Sequence, residues 1–197
     1  MFKQESDAEI WKEIKQDHQG ALSELFYRYS DLLLSYCLTI TQDRDLIKDC
    51  IQELFLDIWK RRDKLAEVEK VKYYLLSVIR RILLRRLKAD ERKLQIELPH
   101  LETSSRSEES KTIEKESLQN QQLYMTEKIN LLPERQKEVI YLRYYLGMSH
   151  DEICEIMDIR KQAAWNLLSR AIKKLRDIIE DPRTSVILLG ILAIPQS

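Results

Sequence analysis

The chain has 197 residues, 33 Lys+Arg against 33 Asp+Glu, 34% charged residues, only three glycines and four prolines. That length holds one or two small domains, and so few turn-formers beside so much charge exclude a sheet sandwich in favour of surface-exposed helices. No apolar signal core follows Met1, and the one apolar run, Val186 to Ile194, is too short to span a bilayer, so a cytoplasmic protein is expected.

Ala8 to about Ile40 reads as helical with a break near Gly20, because Leu22, Leu25, Phe26, Tyr29, Leu32, Leu33, Tyr36 and Cys37 recur at three-four spacing. Asp43 or Asp45 can cap the next helix. It repeats an apolar pair every four residues: Leu46/Ile47, Cys50/Ile51, Leu54/Phe55 and Ile58/Trp59. So wide a stripe is a buried face. Lys48, Asp49, Gln52, Glu53, Asp57 and Lys60 fall opposite.

A third helix is expected from about Val68 to Lys93, apolar and aromatic in its first half and basic in its second. From Val71 to Lys93 eight cations face two anions. Such an excess repels itself unless an anion is near, which points to nucleic acid. Glu97 to Glu116 then carries six acids, Pro99 and a Ser/Thr cluster with no apolar period. This composition predicts a flexible acidic linker. The boundaries that follow are 1–95 for the first domain, 96–117 for the linker, 118–181 for the second domain and 182–197 for an apolar tail.

In the second domain one helix should end at Leu131 or Leu132. Pro133 suits the first turn of the next, which runs to about Leu146 and stops at Gly147. Ser149 with Glu152 is a capping box, and Asp158 suits a left-handed turn. A final helix, about Arg160 to Glu180, would point Ala164, Leu167/Leu168, Ala171, Leu175 and Ile178/Ile179 inward until Pro182 ends it. From Arg160 to Arg176 it has six Lys/Arg and no acid. A short helix, a turn and a basic second helix is how a helix-turn-helix meets the major groove.

The free face of that helix offers Arg160, Lys161, Gln162, Trp165, Asn166, Ser169, Arg170 and Lys173 to DNA. Gln and Asn pair with adenine edges, Arg and Lys with guanine or phosphate. Trp165 alternatively covers the turn as core. In the first domain, aromatics beside cations (Tyr73, Tyr74, Arg80, Arg81, Arg85) suit melted or single-stranded DNA, although the two tyrosines equally suit core packing. The three cysteines, Cys37, Cys50 and Cys154, lie apart among apolar neighbours and read as reduced core residues. The chain has no CxxC or His/Cys cluster, so no metal or cofactor is expected.

At this point the sequence resembles the sigma-70 family of bacterial RNA polymerase sigma factors, in its extracytoplasmic-function (ECF) group. Asp49-Cys-Ile-Gln-Glu-Leu-Phe-Leu-Asp-Ile-Trp59 is similar to the family's D-x-x-Q-[ED]-x-F-x-x-x-W stretch. Leu132-Pro-Glu-Arg-Gln-Lys-Glu-Val139 with Leu142-Arg143, before the helix-turn-helix, is similar to its L-P-x-x-x-R-x-V/F and L-R pattern. The resemblance implies an all-α fold of two small domains. It gives Asp49, Gln52, Glu53 and Asp57 the contact with the clamp helices of the polymerase largest subunit. It gives Val71 to Lys93 the −10 promoter element, with DNA melting, and the terminal helix-turn-helix the −35 element. The chain departs from the family where Tyr74 replaces a usual Trp, Ile79-Arg80-Arg81 an Ala-Arg-Asn and Arg85 an Asp. It departs again where Arg160, Trp165 and Leu167 replace a common Ser, Lys and Arg.

The function expected is therefore a transcription initiation factor whose partners are core polymerase and promoter DNA, with an anti-sigma factor as a further partner common in the group. The competing reading is a helix-turn-helix regulator that does not associate with polymerase. With no P-loop, Gly-rich turn, metal spacing or nucleophile–base pair, an enzyme is not expected.

Overall fold

The computed structural model describes residues 6–97 and 127–179, side chains being described to residue 92 in the first block. Residues 98–126, which hold most of the expected linker and the start of the expected second domain, and the residues from 180, with Pro182 and Val186–Ile194, lie outside it. The described residues are helical and contain no strand.

Four helices build the first domain: α1 (Asp7–Lys15), α2 (Gln19–Cys37), α3 (Arg44–Lys60) and α4 (Val71–Glu97), with a 3₁₀ turn at Arg62–Lys64. Ser6 opens α1 with a reciprocal capping box to Glu9. Asp7 in the first turn is tied to Arg28 at 2.8 Å and to the Tyr29 hydroxyl. The chain breaks at Asp17, whose φ of 69° is left-handed, rather than at Gly20. Asp tolerates that conformation, while Gly20 falls in the first turn of α2. Asp43 caps α3 by accepting from the Leu46 amide at 2.9 Å.

The α3 stripe is buried as its period requires: Ile47, Cys50, Ile51, Leu54, Phe55 and Ile58. It packs against Leu25, Leu33 and Tyr36 of α2 and Leu75, Leu76, Ile79 and Leu83 of α4 in one core. Each such side chain contributes about 1.5–3 kcal/mol on full burial, and Leu54→Ala would cost about 2–5 kcal/mol. Trp11 of α1 lies in the same core, donating from its indole to the Ala66 carbonyl at 3.1 Å and meeting Tyr74 edge-on at 5.1 Å. All three cysteines are free thiols and buried. Burial raises the Cys37 and Cys50 thiols, Cys50 to about 11, so both are neutral and unreactive.

The second domain holds α5 (Glu134–Ile140), α6 (His150–Met157) and α7 (Lys161–Ile178). Pro133 stands just before α5 as its N-cap residue. The helix does not continue as α to Leu146: Tyr141–Tyr145 form a π turn closed by the Leu146 amide on the Tyr141 carbonyl at 3.1 Å. Gly147 follows at φ 68°.

The two domains pack on each other. Glu138 of α5, 3% exposed, accepts from the Tyr36 hydroxyl of α2 and from Arg80 Nε of α4, each at 2.7 Å. Tyr36 also stacks on Tyr141 at 6.4 Å. At the rim Lys70 meets Glu152 at 2.6 Å, Lys72 donates to the Leu146 carbonyl at 2.9 Å, and the Tyr73 hydroxyl donates to Glu155.

Candidate nucleic-acid interface

Three surfaces carry the chemistry, each the face that its helix cannot bury. On α3 the polar side presents Asp49, Gln52, Glu53, Asp57 and Lys60 around a shallow groove closed by Arg86. Asp49 and Gln52 are exposed. Glu53 accepts from Arg86 at 2.7 Å and from Arg85, and these bonds hold its carboxyl below the usual carboxylate range. Asp57 pairs with Arg61 at 3.2 Å. Amid these polar groups Leu56 is 57% exposed, a residue that the apolar-pair pattern passes over.

On α4 the basic half lines a cleft of about 760 Å³ that reaches the second domain, walled by Ser77, Arg81, Leu84, Arg85, Lys88 and Arg92 on one side and Glu155, Ile156 and Asp158 on the other. Arg81, Arg85, Lys88 and Arg92 are exposed there. Arg85 is also bonded to Glu53, and the other three expected DNA contacts have partners deeper inside the protein. Tyr74 is half-buried against Trp11, and burial raises its hydroxyl pKa. Tyr73 is raised by burial and by its bond to Glu155. Arg80 is buried on Glu138; burial alone would weaken its charge, but the Glu138 hydrogen bond and charge outweigh that and raise its pKa. In this arrangement the cations nearest the open cleft are thus Arg81 and those beyond it.

The third surface is the helix-turn-helix. Ser149 accepts from the Glu152 amide at 3.3 Å while the Glu152 carboxylate accepts from the Ser149 amide at 2.8 Å. Lys70 and these caps hold Glu152 below the usual range. Asp158 makes the turn at φ 52°. Helix α7 then buries Ala164, Leu168, Ala171 and Leu175, which leaves the opposite side to solvent. Arg160, Lys161, Gln162, Asn166, Ser169, Arg170 and Lys173 are all exposed on it. Lys161 pairs with Asp151 at 2.7 Å, and Gln162 donates to Asn166 at 3.2 Å. Trp165 is not core: it is 55% exposed and stacks on His150 at 4.5 Å. His150 is the member of this platform that sequence reading missed, since only the turn brings it under the tryptophan.

Each of the two helical modules offers a cationic helix, the charge that suits nucleic acid, and one also carries a mixed acidic face. Two family models match in order, Sigma-70 region 2 over residues 25–93 and Sigma-70, region 4 over residues 122–175, together more than half of the chain. The chain belongs to the sigma-70 family, which is not a family of enzymes. Over 64 residues it is 38% identical to the RNA polymerase sigma-B factor of Bacillus subtilis, covering 32% of this chain and 24% of that protein, so it spans about a quarter of that relative's length. Among solved structures it is similar to CnrH in complex with the cytosolic domain of CnrY (TM-score 0.59, 17% identity, 88% of this chain and 97% of that one). It is equally similar to the sigma factor RpoE in complex with the anti-sigma factor NepR from Bartonella quintana (TM-score 0.59, 16% identity, 82% and 98%). These likenesses are of fold. Among the described residues no helix is long and apolar enough to cross a membrane, and no group of His, Cys, Asp and Glu could hold a metal.

Proposed function

We propose that this chain is an ECF-type sigma factor: it binds core RNA polymerase, directs it to promoters and assists melting of the duplex. The observation that carries the proposal is the pairing, in order, of the two matched regions with the two cationic helices, α4 and α7. In this reading Asp49, Gln52, Glu53 and Asp57 dock on the clamp helices of the polymerase largest subunit, where charge complementarity sets orientation and on-rate. Tyr73, Tyr74, Arg80, Arg81 and Arg85 take the −10 element, whose bases leave the stack when the strands part. Arg160, Lys161, Gln162, Trp165, Asn166, Ser169, Arg170 and Lys173 take the −35 element. Two weak contacts on one chain raise each other's effective concentration.

The working site of such a factor is the cytoplasm, and an anti-sigma factor is a proposed further partner. The complexes of CnrH with CnrY and of RpoE with NepR favour it. Run-off transcription by core polymerase on a randomised promoter library tests the reading. Start-site selection that appears only when the protein is added supports it. A protein that binds duplex DNA but neither co-elutes with core polymerase nor confers start sites refutes it and leaves the regulator.

A further inference from the structure

The Glu138 carboxylate sits where an anion from outside the protein would be welcome. It takes one bond from Arg80 Nε and one from the Tyr36 hydroxyl, both at 2.7 Å, with Arg80 Nη2 at 3.4 Å. A phosphate oxygen asks for the same donors. Glu138 belongs to α5 of the second domain and its donors to α2 and α4 of the first. Its side chain is 3% exposed and that of Arg80 11%. The contacts around it, Lys70–Glu152, Lys72–Leu146 and Tyr73–Glu155, are polar, and each takes a donor from the start of α4 or the residue just before it. Glu155 and Asp158 of the second domain also stand on the far wall of the cationic cleft.

We infer that Glu138 is an intramolecular clasp: its carboxylate holds Arg80 and Tyr36 in place of nucleic-acid phosphate, and keeps the second domain closed over the N-terminal half of the α4 DNA surface. Three features favour a clasp over permanent packing. Hydrogen bonds from Tyr36, Lys70, Lys72, Tyr73 and Arg80 all cross the interface, and polar contacts of this kind mark reversible interdomain surfaces. Its anions lie on one domain and its cations on the other, so opening releases a whole set of donors toward DNA. And a buried carboxylate cannot lose its cation without strong penalty, so Glu138 and Arg80 part only when both reach water, which makes the motion two-state rather than gradual.

The clasp rests on the reading of α4 as a DNA surface, so the test separates the two. Donor and acceptor dyes are placed on the full chain at Asp31→Cys and Lys174→Cys, both exposed positions; the buried native thiols do not compete. Energy transfer then reports closure without DNA. Glu138→Gln and Arg80→Gln should each lower transfer while leaving helix content unchanged. The same variants are titrated with a fluorescent single-stranded DNA 12-mer. Glu138→Gln should bind about tenfold tighter, the factor by which an open state populated one part in ten taxes affinity. Arg80→Gln should open without that gain. Unchanged transfer in folded Glu138→Gln overturns the clasp. If that variant loses helix content, the exchange Arg80→Glu with Glu138→Arg decides: transfer restored to the native value supports the clasp, and persistent opening overturns it. Opening without any gain in DNA affinity refutes the claim that a DNA surface is being withheld.

Discussion

Leu56 offers the sharpest test of the α3 surface. It is 57% exposed in a groove that it lines together with Asp49, Gln52, Glu53, Asp57, Lys60 and Arg86. A large apolar side chain ringed by polar groups is the shape of an interface anchor. Fully burying a leucine contributes about 1.5–3 kcal/mol, and 57% of it remains to be buried. Docking would therefore gain about 0.9–1.7 kcal/mol from Leu56, and Leu56→Ala should weaken polymerase binding about fourfold to twentyfold. Because the side chain is already in water, the thermal midpoint of the free protein should hardly move. The assay is a titration of dye-labelled protein with core polymerase, read by anisotropy, beside a thermal melt of each variant. Affinity unchanged in Leu56→Ala would refute the anchor. A lowered midpoint with unchanged affinity would show that Leu56 serves the fold instead.

Three further outcomes follow from the same structure. Asp158→Val should lose about 1–2 kcal/mol of stability, since φ 52° is left-handed, whereas Asp158→Gly should be close to neutral; thermal melts distinguish them. Gln162 and Asn166 are bonded to each other at 3.2 Å, so their double change should cost little more than either single change and should alter base preference at the −35 element, while Lys173→Ala should weaken all sites alike and lower the salt slope by about one, as binding titrations at several salt concentrations would record. Glu53 and Glu152 are held below the usual carboxylate range by Arg86 and Lys70, so their stabilisation is complete at neutral pH and fades as pH falls through the lowered folded values; Glu53→Gln and Glu152→Gln should each cost below about 1 kcal/mol at pH 7, and the cost should shrink steadily as melts are run at more acidic pH.

What could be read in the sequence was what is local. Asp43, the Ser149–Glu152 box, Asp158 and Gly147 each act within a few residues, and all four sit where their chemistry places them. The α3 stripe was equally legible, because its period is its burial. The break expected near Gly20 lies just before it, and the residue that makes the left-handed step is Asp17. Trp165 lies exposed and stacked on His150, fifteen residues earlier in the chain, a pairing that only the folded elbow creates. Arg80 was beyond sequence reasoning altogether. A basic run looks the same whether its members face water or a carboxylate 58 residues away, and Glu138 reads as one more surface acid until α5 is seated on α2 and α4.

The π turn at Tyr141–Tyr145 has a consequence for how this protein tolerates change. Such a turn holds one residue more than an α turn yet leaves the helix unbroken. A one-residue deletion there would let the segment close as ordinary α-helix, with the reading head downstream pointing the same way. The same deletion inside α7 would swing every later side chain by about 100° and present the greasy side to the groove. Length variation among natural or engineered versions should therefore gather at this spare residue, which works as the slack in the protein's ruler.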